Sequence, residues 1–204
     1  MDEPNPSPQS PLRHVRTILW VLVALAAVAF AVTYSMRQQT PTEPQSTLGG
    51  PFTLTGGDGK KFSSSALASK PYAIFFGFTR CGDVCPVTLG RMAKLRRQVG
   101  GDDAFNIVFV TIDPANDGPA EVGQYAKLFG TPIIGLTGSA AEIAQVKRQY
   151  GVYAEPNPQS TGHGDMISHT SSVMLFDRDG NLTGTISGNE PDSAALQKLR
   201  ALIA

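Results

Sequence analysis

Two hydrophobic regimes divide this chain. From 17 to 36 the sequence reads TILWVLVALAAVAFAVTYSM, with neither charge nor proline. A run of about 20 apolar or small residues is the length a helix needs to cross a bilayer. Trp20 and Tyr34 stand near its ends, where amphipathic rings suit the two membrane interfaces. The alternative is a cleaved signal peptide, with AFA at 29–31 resembling a small-residue cleavage site. The length favours an uncleaved anchor. Residues 37–48, polar and proline-containing, read as a flexible linker.

Beyond residue 48 the pattern changes to short apolar blocks alternating with amphipathic ones. PFTL and KKFS flank TGGDG and predict a small hairpin. YAIFFGF (72–78) and FNIVFVTID (105–113) are continuous apolar runs, as expected of strands buried on both faces. Leu89, Met92, Leu95 and Val99 form one stripe of a helix expected to start at about Pro86 and stop at Gly100. PAEVGQYAKLF predicts a second helix ended by Gly130, and IIGL a short strand. SAAE (139–142) is a capping box opening a third helix that Gly151 closes. After a Pro/Gly/Ser loop, HTSSVMLFD and LTGTIS flank RDGN as a hairpin, and SAALQKLRALIA predicts a closing helix. Strand and helix alternate, so the class is α/β with a mixed sheet covered by helices. The stretch 49–204, roughly 155 residues, is enough for one domain.

Charge sets orientation and removes one partner class. Lys+Arg and Asp+Glu number 17 each, the net charge is zero, and no basic run reaches binding-patch density, so nucleic acid is not an expected partner. Arg13 and Arg16 precede the apolar run and Arg37 alone follows closely. The positive-inside rule leaves residues 1–16 as a cytoplasmic tail, 17–36 as a single transmembrane anchor in the cell membrane, and the rest outside. In a bacterium that is the periplasm.

The chemistry concentrates in FFGFTRCGDVCPVTLGRM (75–92), which holds both cysteines of the chain, Cys81 and Cys85. A structural disulfide would close too short a loop to stabilise much. A redox pair and two arms of a metal site are the stronger readings beside it. Both sulfurs follow a buried strand, at whose carboxyl end open α/β sheets place their sites. A helix N-terminus and the neighbouring Arg80 both favour thiolate over thiol. Asp113, before a proline at a strand end, reads equally as a turn residue or as an orienter of a ligand. Met92 belongs to the apolar stripe. Met166 and His163 lie in a loop-like stretch, and His14 lies in the cytoplasmic tail.

Several motifs stand in a characteristic order: GGPFTL, FFGFT running into Cys-x-x-x-Cys-Pro, TIDP (111–114), GLTG (135–138), YGVY (150–153) and SHTSSVMLFDRDG (168–180). In this, residues 49–203 resemble the Sco (SenC) family of copper chaperones for cytochrome c oxidase. The resemblance implies a thioredoxin-like fold with an N-terminal hairpin. It also implies that Cys81, Cys85 and His169 bind one copper ion. The implied partners are a copper donor protein and the copper-centre subunit of cytochrome c oxidase. Soft thiolates suit Cu(I), and imidazole accommodates either oxidation state. The chain departs from the family pattern at Arg80, where histidine is usual, at Gly82, where proline is usual, and at Ser168, where aspartate is usual. A thiol-disulfide oxidoreductase, or a copper or redox sensor, would use the same atoms.

Overall fold

The computed structural model describes residues 11–38, 48–156, 167–169 and 172–204. Two compact units emerge, one from Met1 to Ser46 and one from Thr47 to Ala204. In the first, α1 (Pro11–Gln38) covers the apolar run. The side chains described there, Arg16 and residues 18–30, are exposed. Among the described residues, no helix is long and apolar enough to cross a membrane.

The second unit is built on a seven-stranded mixed sheet. Its strands are β1 (Thr53–Gly56), β2 (Lys61–Ser63), β3 (Tyr72–Gly77), β4 (Asn106–Thr111), β5 (Ile134–Thr137), β8 (Val173–Phe176) and β9 (Leu182–Ile186). The spatial order is β2-β1-β5-β4-β3-β8-β9. β3, β4 and β5 run parallel, whereas β1 and β8 add antiparallel hairpins at the two sides. Every residue of β3 is buried, because helices cover both faces. Ile74 and Phe76 enter one core with Val146 of α4 (Ala140–Gln149). Ala73 and Phe75 enter the other with Leu89 of α2 (Val84–Val99), Val122 of α3 (Pro119–Lys127) and Leu199 of α5 (Asp192–Ile203). The period-2 alternation of one strand thus feeds two hydrophobic layers.

The punctuation follows the predicted chemistry. Gly100 ends α2 at φ 144°, a conformation that glycine tolerates. Asp177 organises the RDGN turn by accepting from the N–H groups of Asp179 and Asn181 at 2.9 and 2.8 Å. The segment after Gly151 departs from expectation. Ala154–Pro156 (β6) pairs antiparallel with Ile167–His169 (β7), a two-stranded sheet separate from the main one, so HTSSVMLFD is not one strand.

α4 carries the expected capping box: Glu142 N–H donates to Ser139 Oγ, and Ser139 N–H donates to Glu142 Oε2 at 2.7 Å. Lys61 Nζ donates to the other carboxylate oxygen at 2.9 Å. This lysine, then the Ser139 donors, hold the Glu142 carboxyl down at about 2. A depressed carboxyl stabilises the fold above its unfolded value, near 4.3, and that contribution disappears as pH falls toward 2. Glu142→Gln keeps an acceptor for Ser139 but loses the charge. Its urea midpoint should therefore fall slightly below wild type at pH 7, the pair being exposed. The gap should close between about pH 4.5 and 2. A gap of constant size down to pH 2 would show that charge is not its source.

Candidate metal centre

Cys81 and Cys85 lie on the turn between the carboxyl end of β3 and the start of α2. α2 begins at Val84, two residues earlier than expected, so Cys85 sits inside its first turn and Pro86 at its third position. The reason is a cap the sequence rules do not anticipate. Asp83 makes no side-chain cap bond. Instead Cys85 N–H donates to Cys81 Sγ at 3.4 Å. A sulfur thereby takes the place that a serine or aspartate oxygen usually takes at a helix start. Pro86 brings no N–H to a turn whose donors lack intrahelical partners.

The two thiols are reduced and unequal. Cys81 is partly exposed, whereas Cys85 is fully buried. Gly77 makes the burial possible: a Cβ on it would lie 2.8 Å from Cys85 Sγ. Alanine there would force the sulfur off the end of β3. Burial, then the adjacent Cys81 sulfur, push the Cys85 thiol well above its ordinary range. The expectation that Arg80 and the helix start would make a ready thiolate does not hold for Cys85. Arg80 faces elsewhere: its Nη2 donates to Asp113 Oδ2 at 2.9 Å. Asp113 also accepts from Asn116 Nδ2, so it ties Arg80 to the turn after β4.

The larger organiser of the loop is a residue the sequence reading missed. Asp117 is fully buried. Its Oδ2 accepts from Thr79 N–H at 2.9 Å and Thr111 Oγ1 at 2.7 Å, and its Oδ1 from Thr79 Oγ1 at 2.5 Å. Its backbone carbonyl accepts from Thr137 Oγ1 at 2.7 Å. The segments following β3 and β4, and the end of β5, are thus fastened to one residue. The only signal in the sequence was a second aspartate four residues after Asp113, in a stretch that reads as ordinary turn composition.

His169 is the last residue of β7, with Ala154 opposite it. Its side chain lies outside the described residues, as do His163 and Met166. Among the described residues, no three His, Cys, Asp or Glu side chains group as metal ligands. Met92 is buried in the core, as its place on the stripe implied.

A sequence model of the SCO1/SenC family matches residues 40–204. The chain belongs to the SCO1/SenC family. Protein SCO2, mitochondrial, of Saccharomyces cerevisiae is 32% identical over 159 residues, 76% of this chain and 53% of that protein. The SCO2-like protein RP587 of Rickettsia prowazekii is 30% identical over 184 residues, 84% of this chain and 88% of that protein. The copper-bound structure of Bradyrhizobium japonicum ScoI matches with a TM-score of 0.67 at 36% identity, over 76% of this chain and 99% of that one. The chain spans about half the length of the mitochondrial relatives it matches. The mixed α/β, thioredoxin-like fold expected from the motifs is therefore the fold of the Sco structures.

Removing the Asp117 carboxylate tests its place in the SCO1/SenC scaffold. Asp117→Ala strands the buried Thr79 and Thr111 donors and should cost about 2–4 kcal/mol, read from urea unfolding. A loss under about 0.5 kcal/mol, the range of surface substitutions, would show that water replaces the carboxylate.

Proposed function

We propose that this chain is a membrane-anchored copper-binding protein that takes part in assembling the binuclear copper centre of cytochrome c oxidase. Residues 1–16 form a cytoplasmic tail, 17–36 the anchor, 37–48 the linker, and 49–204 the copper-binding domain facing the periplasm. Cys81 and Cys85 supply thiolates and His169 an imidazole nitrogen to one copper ion per chain. Copper is cargo here, received from a donor protein and passed to the copper-centre subunit of the oxidase.

The observation that carries this reading is convergence at one end of one strand. Both sulfurs follow the carboxyl end of β3. β8 runs antiparallel to β3 with Met174 opposite Ile74, so the chain entering β8 comes in from that same end. His169 precedes Val173 by four residues. A chain that long reaches at most about 14 Å, so the histidine is tethered near the thiols. Family membership and the copper-bound ScoI neighbour support copper as the metal. Soft thiolates with one imidazole suit Cu(I). The ligands bind as thiolates, so loading releases the proton that burial holds on Cys85. Apparent copper affinity therefore rises with pH.

A second reading, a thiol-disulfide oxidoreductase, is favoured by one feature: a partly exposed Cys81 sulfur beside a buried Cys85 sulfur. This is the asymmetry of an attacking and a resolving thiol. The two readings separate at His169. The purified, reduced full-length chain should hold one copper per chain in dialysis against a chelator. Cys81→Ser, Cys85→Ser and His169→Ala should each lose tight binding. His169→Ala should also impair oxidase assembly at low copper about as severely as loss of a cysteine. Wild-type copper content in either cysteine variant would show the site misassigned. Normal oxidase activity in the His169→Ala strain would favour the reductase.

A further inference from the structure

The chain that leads into the cysteine turn is gripped twice from one side. Asp117 takes both donors of Thr79, the N–H on Oδ2 at 2.9 Å and the hydroxyl on Oδ1 at 2.5 Å. Two bonds to the two oxygens of one carboxylate fix direction as well as distance, and the charge strengthens both. The carboxylate is itself held. It is fully buried, and Thr111 Oγ1 donates to Oδ2 at 2.7 Å while accepting from the Asp113 N–H at 3.0 Å. Asp113 then accepts from Arg80 Nη2 at 2.9 Å. Residues 79 and 80 are thus both tied to the turn that follows β4. The far side of Cys81 is different. Gly82, Asp83 and Val84 are exposed, a Cβ on Gly82 would meet nothing within 4 Å, and Asp83 makes no side-chain cap bond. Firm packing returns at Cys85, buried in the first turn of α2.

We propose that Thr79 is the positioning residue of the outer sulfur, its doubled hydrogen bond to Asp117 fixing the stem of the cysteine turn so that adjustment on copper binding falls to residues 82–84. Cys81 stands between a fixed stem and an open arc, and Cys85, at the end of that arc, stands on a packed helix. A ligand two residues from a rigid point samples few positions, so it is near its bound place before metal arrives. The hydroxyl matters here in a way that an apolar side chain of the same shape would not. Thr79 Oγ1 is the donor to Oδ1, whereas Oδ2 takes the Thr79 N–H and Thr111. Without that hydroxyl the stem hangs from a single bond, about which it can turn.

This role rests on the copper-binding reading, and the arms of one experiment separate the two. Thr79→Val keeps the shape and the N–H but removes the hydroxyl, whereas Thr79→Ser keeps the hydroxyl and drops the methyl. Leu67→Ala opens the core just ahead of β3, at the end away from the cysteines, and controls for lost stability. Wild type and variants, as full-length reduced chains, are loaded with Cu(I) and competed against a chromophoric chelator. Thr79→Val should lose about 10-fold in copper affinity, the scale on which residues that orient a metal ligand act. Thr79→Ser and Leu67→Ala should bind as wild type does. Amide hydrogen exchange on the wild-type chain adds a readout that depends on no variant. The Thr79 N–H should already be protected without copper, and the amides of residues 82–84 should gain protection on loading. Wild-type affinity in Thr79→Val overturns the role of Thr79 alone, as does an equal loss in Thr79→Ser or Leu67→Ala. A Thr79 amide protected only with copper overturns it too, because the metal then orders the stem. A wild-type chain that binds no copper overturns the copper reading and this role with it.

Discussion

The Asp117 carboxylate accepts hydrogen bonds from the Thr79 N–H and from the hydroxyls of Thr79 and Thr111, and its backbone carbonyl accepts from Thr137. The cysteine turn depends on this fastening. Thr79 stands two residues before Cys81, so the carboxylate holds the chain that delivers the first sulfur. Thr111 and Thr137 belong to the ends of β4 and β5, so the same residue aligns the neighbouring strand ends. A buried carboxylate is tolerated only where donors satisfy it, and each donor here comes from a segment that shapes the site.

From that anchor the two sulfurs take unequal surroundings. Cys81 stays partly open and caps α2, whereas Cys85 packs beneath it over Gly77. The helix start favours a negative charge, but burial opposes it more strongly at Cys85. Arg80, the permanent charge nearest in sequence, is engaged by Asp113 instead of facing the thiols. The metal-free pair is thus held protonated at its inner member. A soft cation bound there, as proposed, would supply the compensation that the protein itself withholds.

The sheet was legible because its signals are local. The apolar run of β3, the Ser139–Glu142 box and the RDGN turn each announce themselves within a few residues. The motif order pointed to the family for the same reason. The site was legible only in part. The sequence shows two cysteines with three residues between them, but not that one caps the helix holding the other, since capping rules look for oxygen. Asp117 was hidden because its donors come from residues 79 and 111, and no local pattern marks a carboxylate about to be buried. Tyr125 lies in a stretch expected to be helical, and nothing local marks that its buried hydroxyl has no hydrogen-bond partner among the described residues. The β6–β7 pair was missed because its strands are three residues each and separated by a loop-like composition. Arg80 misled because adjacency in sequence says nothing of where a long side chain turns.

The central claim is that two sulfurs and one imidazole meet on a single copper ion at the carboxyl end of β3. X-ray absorption at the copper edge, on the reduced chain loaded with one equivalent of Cu(I), reads that shell directly. The account predicts two sulfur scatterers and one nitrogen scatterer carrying the outer-shell pattern of an imidazole ring, with the nitrogen lost in His169→Ala. A shell of sulfur alone, unchanged by that substitution, would contradict it.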